Sequence, residues 1–335
     1  MNAFSRLTST HIVYLVVLLT VVVGTVLVGA TGRSFVSAGN ISAILTGTSV
    51  LGFIAIGQTL VILVGSLDLS VPYVISLASL LSAGLMANQP GNILPGVALA
   101  LVVSAGIGLV NGLVVSGLKV HGFIATLGTG LVVSGYLATN YKGSSGQTPV
   151  TFRLIGATGI GPVPISTLIM LVCAGAALLM LTRSRLGHHM YAVGGDIRVA
   201  RMSGIRTATP IVAAHVICSV MAGLAGLLLA ARLGVGSPTI GSQGGYDLLS
   251  IAAVVLGGTL LAGGKGSLVG TLGGVLIFAM IDNIMSVMQI NPFLKDVVRG
   301  IVIVVAVAVY ARRRVVSRPA RFDDRSGRTA QEVTA

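Results

Sequence analysis

The chain has 335 residues, 54% of them hydrophobic and only 9% charged, with a net charge of +13. Soluble domains are about 25% charged. Here there are eight carboxylates, and three of them (Asp323, Asp324 and Glu332) fall at the very end, which excludes a water-soluble enzyme and points to a polytopic membrane protein whose basic charge marks topology rather than nucleic-acid binding.

A bilayer span needs about 20 mostly apolar residues. In chain order the runs that meet this are 11–30, 42–65, 71–88, 93–117, 122–140, 164–182, 208–232, 247–263, 267–289 and 293–311. These ten runs predict an all-α fold. The first follows Arg6, and its apolar stretch from Ile12 to Val28 is longer than a signal-peptide core with no A-x-A site after it, so it reads as an uncleaved anchor. Ten spans put both termini on one side. With that side cytosolic, Arg33, Lys142, Arg153, Arg232, Lys295 and Arg299 fall outside, six of the 21 basic residues, and the Lys/Arg bias favours this orientation. The transmembrane domain is then 1–311. The basic tail 312–335 is expected to be disordered beside anionic lipid.

Between the second and third runs, GSLDLSVP sets Asp68 between Gly65 and Pro72. A helix broken by Gly and Pro with an acid at the break can line a polar path. An Asp capping the next helix fits equally well. Asn111 in the fourth run and Asp282 and Asn283 in the ninth are further path candidates, because polar residues inside a membrane are costly. Asp282 is near its outer end and also fits snorkelling. Asp296 and Arg299 are placed for a local i,i+3 pair. Small residues repeat every fourth position at Ser104, Gly108, Gly112 and Ser116, and again at Gly266, Gly270 and Gly274, the spacing that lets helix backbones approach. The stretch 67–84 aligns with 246–263, and 110–124 with 282–294. Both shifts equal five spans, an odd number, so the two five-helix halves are expected to be inverted.

Catalytic chemistry finds no support. His215 stands alone in the seventh run, and His188-His189 read as a polar loop pair. Cys173 and Cys218 lie in apolar runs and imply neither a disulfide nor a metal site. AGGKGS around Lys265 fails as a phosphate loop because Thr259 stands where Gly is needed and Gly266 where Ser or Thr is needed. GATGIG (156–161) has the wrong glycine order for a dinucleotide site. No catalytic residue, metal or cofactor is expected.

Residues 187–209, GHHMYAVGGDIRVARMSGIRTAT, form a basic, polar island. After Gly194-Gly195, Asp196 is a good N-cap, Ile197 to Ser203 a short helix and Gly204 its terminator. Arg198 and Arg201 share a face, and Ile197, Val199 and Ala200 supply small apolar contacts. A capped helix held between two spans on the cytosolic side suits docking to another protein.

MYAVGGDIRVARMSGI (190–205) resembles the cytosolic loop of the ribose-type permeases of bacterial ABC importers. GQTLVILVGSLDLSV (57–71), VNGLVVSGLKVHGFIATLGT (110–129) and GGYDLLSIAAVVLGGTLLAGGKGSLVGTLGG (244–274) are similar to further motifs of that family, in the right order from about residue 40 to 310. Asp196 stands where Asn is usual, Pro72 and Ser66 where Gly is usual, His121 where Pro is usual, and Asp247 where Glu is usual. The resemblance implies a type II ABC importer permease in the bacterial inner membrane, not itself an enzyme. It implies pairing with an identical or different second permease subunit, substrate delivered by an extracytoplasmic sugar-binding protein, and coupling through loop 183–209 to separate ABC ATPase subunits. The implied cargo is a pentose, hexose or related polyol. The low aromatic content (4%, no Trp) fits a low-affinity conduit. A branched-chain amino-acid permease is the nearest rival, and LDLSV and IAAVVLGG favour the sugar branch. An ion-coupled transporter using Asp282 would leave the docking loop unexplained.

Overall fold

The computed structural model describes residues 9–302 and 304. The basic tail 312–335 and the end of the tenth apolar run lie outside them. Among the described residues seven helices are long and apolar enough to cross a membrane. These are α1 (Ser9–Gly29), α2 (Ala38–Leu63), α4 (Ile93–Gly117, entered through a 3-10 turn at Pro90–Asn92), α5 (Gly122–Asn140), α7 (Ile165–Arg183), α10 (Ala208–Leu233) and α13 (Leu268–Val287).

Two expected spans are short helices instead. The third run gives α3 (Val71–Met86), and the eighth gives α12 (Tyr246–Leu256) preceded by one turn, α11 (Ile240–Gln243). At 1.5 Å per residue α12 is about 16 Å long, roughly half of a 30 Å hydrocarbon core. The expected helix to residue 263 stops early because Gly258, Gly263 and Gly264 all take positive φ, conformations in which an L-residue would be strained. A further helix, α14, runs over 292–302.

The helices α2 and α10 form the centre. From Thr48 to Leu63 every residue of α2 is buried, and α2 packs on α7, α10, α12 and α13. Helix α10 also packs on α3 and α4. By contrast α1, α4, α5 and α7 present bare apolar faces, among them Leu18, Val102, Val132 and Val172. Such faces suit lipid, where apolar surface need not be hidden.

The two small-residue stripes face inward. On α4, Ser104 lies against Gly223, while a Cβ on Gly108 would sit 2.6 Å from the His215 carbonyl oxygen and one on Gly112 2.6 Å from Val212 Cα. On α13, Gly270 and Gly274 lie against Gly257 and Ala253 at and just beyond the end of α12. Helices therefore meet backbone to backbone, as the spacing predicts.

The connections hold more structure than expected. Residues 141–163 contain the short helix α6 (Val150–Ala157) and most of a two-stranded antiparallel hairpin, β1 (Gly159–Ile160) with β2 (Val163–Pro164). GATGIG thus closes a turn rather than opening a nucleotide site. His188 and His189 belong to a helix, α8 (Arg185–Gly195), not a loop; Ser184 caps it by accepting from Gly187 N at 3.1 Å. A second helix, α9 (Ile197–Met202), follows.

Candidate translocation and coupling sites

Helix α2 ends where Gly65 turns to φ +80. Gly65 N donates to the Ile62 carbonyl and Ser66 N to that of Val61, at 2.9 and 3.0 Å, the paired closure of a Schellman motif. The chain then runs unpaired by any helix to Ser70, and α3 begins with Pro72 in its first turn, where a missing N–H costs nothing.

Asp68 sits in this break and is completely buried. One carboxylate oxygen, Oδ1, accepts from Ser70 N at 3.0 Å and from the Ser70 hydroxyl at 2.6 Å. The other, Oδ2, faces His215 Nδ1 of α10 at 3.4 Å. His215 Nε2 lies 3.1 Å from the Ser66 hydroxyl. With the proton on Nδ1, the imidazole donates to Asp68 and accepts from Ser66. Asn111 of α4 donates Nδ2 to Ser70 Oγ at 3.0 Å, and the Thr126 hydroxyl of α5 accepts from Leu69 N at 3.0 Å. So α4, α5 and α10 each send one polar side chain to stitch the break. Asp68, Ser70, Asn111, Thr126 and His215 all have no solvent exposure. A buried carboxylate left unpaired would cost several kcal/mol, and this network is what offsets that cost. Among the described residues Asn111 Oδ1 and the Ser219 hydroxyl have no hydrogen-bond partner.

The two carboxylate oxygens of Asp68 are therefore used differently. Oδ1 closes the turn into α3, and Oδ2 takes part in a network across the bundle. His215 is not alone; its partner lies 147 positions away in sequence. The signal that could have found it was the cost of burying any imidazole, which demands a partner.

Asp282 and Asn283 belong elsewhere. Arg299 of α14 grips Asp282 with two bonds, Nε to Oδ1 and Nη2 to Oδ2, both 2.9 Å. The i,i+3 partner Asp296 also accepts from Arg299, at 3.0 Å. Asn283 Nδ2 donates to Asn40 Oδ1 of α2 at 2.9 Å. Among the described residues no hydrogen bond joins this cluster to that of Asp68. Planar, two-point contact between guanidinium and carboxylate fixes α14 to α13.

The polar island is a pair of helices. Asp196 accepts from Arg198 N at 2.7 Å and Val199 N at 3.1 Å. Those amides, Val199 first, hold its carboxyl below the usual range. The far end closes as α2 does: Gly204, at φ +81, donates to the Arg201 carbonyl at 3.0 Å, and Ile205 N to that of Ala200 at 3.1 Å. Arg198 and Arg201 are exposed. So are Ile197, Val199 and, most of all, Met202 at 88%. Met202 was missed in sequence because it lay inside the expected helix with no mark of its own. Ala200 is buried and turns to the core, where it seats the helix.

Gly194 and Gly195 end α8 against the membrane part. A side chain on Gly194 would collide with the Leu63 carbonyl, the last of α2. That same carbonyl accepts from Gly264 N at 3.0 Å. Tyr191 reaches the Gly266 carbonyl at 3.2 Å. The end of α2, the loop after α12 and the end of α8 thus meet at one junction of main chain, five residues before Asp68.

Residues 40–307 match the family model described as branched-chain amino acid transport system / permease component. Over 288 residues the chain is 39% identical to the ribose import permease protein of Escherichia coli K12, covering 84% of this chain and 89% of that one. It is 34% identical to the ribose import permease protein of Bacillus subtilis 168 (84% and 88% covered). It is 33% identical to the D-allose transport system permease protein of E. coli K12 (82% and 84% covered). No solved structure matches.

Proposed function

This chain belongs to the branched-chain amino acid transport system / permease component family, and from that premise we propose that it is the membrane subunit through which an importer carries a sugar. The observation that carries the reading is the likeness, over more than four fifths of the chain, to import permeases named for ribose and allose. The family description names amino acids, but LDLSV and IAAVVLGG favour the sugar relatives. The protein is a multi-pass membrane protein with at least seven apolar helices.

In this reading α3, α12 and the tenth run complete ten spans with both termini cytosolic, in two inverted halves. The support is the charge distribution, the two internal alignments and the short, broken helices α3 and α12, which is how repeat transporters build their central paths. A second permease subunit completes the conduit, an extracytoplasmic binding protein delivers the sugar, and ATPase subunits drive it. Helix α9 is the docking element: its two caps make it rigid, Arg198 and Arg201 meet acidic groups, and Met202 enters an apolar socket. The ATPase moves α9, and the main-chain junction at Gly194 passes the motion to the break at Asp68.

The network of Asp68, Asn111 and His215 is then the closed floor of the path. Its full burial means that the floor must part for cargo to reach the cytosol. Asp282 and Asn283 line the outer part of the route or hold its wall, Asp282 through Arg299 and Asn283 through Asn40.

The test is uptake in cells carrying the chain with its own ATPase and binding protein. Sugar uptake should need ATP and survive uncouplers. Uptake that follows an ion gradient instead would overturn the reading, and competition by L-leucine but by no sugar would move it to the amino-acid branch. Topology is checked by single cysteines at 145 and 201 in a cysteine-free background: an impermeant reagent should reach 145 and not 201.

A further inference from the structure

A cleft of about 330 Å³ opens between α3, the upper part of α5 with the chain after it, and the connection from α10 to α11. Its volume is within the usual range for a small-molecule site, about 300–1,000 Å³. Tyr73, Tyr141, Ser134, Lys142, Ser237 and Thr239 are among its lining. Seven of its twelve lining residues carry a hydroxyl. Two of the seven tyrosines face one space.

The polar groups here are also unspent. Many helical Ser and Thr elsewhere return the hydroxyl proton to the carbonyl four residues back, as Ser104, Ser116, Thr129 and Thr139 do. Ser134 makes no such bond. Among the described residues the hydroxyls of Tyr73, Ser134, Ser237 and Thr239 and the Lys142 ammonium have no hydrogen-bond partner in the protein. The rings, in contrast, are held. Tyr73 lies against Gly130, where a Cβ would come within 2.9 Å of its ring. Tyr141 is braced edge-on by Tyr136, with ring centroids 6.4 Å apart. Tyr73 is three residues beyond Ser70, so the cleft lies just above the buried floor.

Resting on the sugar reading, we propose that this cleft is a way-station for a monosaccharide inside the permease, between release from a binding protein and passage through the floor. The chemistry fits a polyhydroxylated ring. A hydroxyl both donates and accepts, so it can serve a sugar hydroxyl in either sense. An aromatic face is the negative side of the ring and attracts the polarised C–H face of a sugar. The lining contains no carboxylate, amide or arginine to make two-point bonds. The site is therefore weak and tolerant of stereochemistry, as a conduit needs, since tight holding would slow release.

The chain has no tryptophan, so Tyr73→Trp gives a single reporter in the full-length protein in lipid nanodiscs. D-Ribose, D-galactose and D-allose are the probes, with L-leucine beside them. At least one sugar should change the emission saturably in the millimolar range, and leucine should not. Ser134→Phe, which fills the cleft, should abolish that change. In cells it should lower sugar uptake about tenfold, a loss worth about 1.4 kcal/mol, with ATPase co-purification unchanged. Thr239→Val, the same shape without the hydroxyl, should raise the half-saturating sugar concentration several-fold. Sugar uptake intact in both Ser134→Phe and Thr239→Val overturns the cleft and leaves the sugar reading standing. Leucine uptake with no sugar uptake in the unaltered protein overturns that reading and the way-station with it.

Discussion

The break at 64–70 and the helix α9 are written with the same local grammar. Each has a helix closed by a glycine at positive φ with two crossed main-chain bonds, and each has an aspartate whose carboxylate accepts amide protons ahead of a helix. Their surroundings are opposite. Asp196 is exposed, and the two amides that follow it satisfy it locally. Asp68 is buried, and the turn it makes leaves one oxygen to be met by a residue from another helix. Solvent can meet the rest of Asp196, whereas His215 of α10 must meet Asp68 while α4 and α5 stitch the turn around it. Local geometry thus decides where a helix starts and stops, and depth in the bundle decides how many distant partners that geometry requires.

The strongest way to break this comparison is to remove one buried partner. Asp68→Leu or His215→Leu alone should destabilise the protein by about 3–5 kcal/mol, because each strands the other group. Thermal unfolding in detergent measures this. The double variant should recover much of that stability yet still fail in uptake; recovered uptake would reduce the pair to a structural clasp. Next in size is Gly194→Ala. The added methyl meets the Leu63 carbonyl, and such overpacking costs about 1–3 kcal/mol. Sugar-coupled ATP hydrolysis should fall more than ATPase binding does. Gly204→Val follows, at about 1–2 kcal/mol for a left-handed backbone. It and Arg201→Glu should remove the ATPase from pull-downs while insertion in the membrane is normal.

The smallest effect belongs to pH at Asp196. Its carboxyl is held below the ordinary value of 3.8 by the Val199 and Arg198 amides. A depressed pKa stabilises the folded helix above the unfolded value and loses that contribution as pH falls through the folded one. Protection from hydrogen exchange at Val199 and Arg198, taken relative to the intrinsic rate, should therefore be flat at neutral pH and fall only below the ordinary value. Asp196→Asn should show no such step, because an amide cap does not titrate.

This contrast also explains what the sequence could disclose. The caps of α9 and the stripes on α4 and α13 were legible because their causes are local or periodic: Asp196, Gly204, and small residues four apart. The break at Gly65 was legible for the same reason. The Asp68–His215 contact was not, since nothing near either residue names the other. The early stop of α12 was hidden because Ala262 and Leu261 continue the apolar run, and only the backbone of Gly258, Gly263 and Gly264 shows the turn. Position alone fits Asp282 for snorkelling or lining; Arg299, seventeen residues on, reaches it only because α14 folds back beside α13. The hydroxyls of the cleft come from segments too far apart for any pattern to group them.

The junction at Gly194 has a consequence for how such a machine can change over time. Its contacts run from main chain to main chain: the Leu63 carbonyl, the Gly264 amide, and a glycine kept bare so that they can meet. Those atoms are the same in every amino acid except proline, which lacks the amide hydrogen. If the cleft holds the cargo and α9 docks the motor, as proposed, side chains at each can be exchanged without altering the wording of the message between them. On the proposed reading, a transmission built this way lets appetite and engine drift independently, with steric emptiness at Gly194, Gly263 and Gly264 as the part that must not be filled.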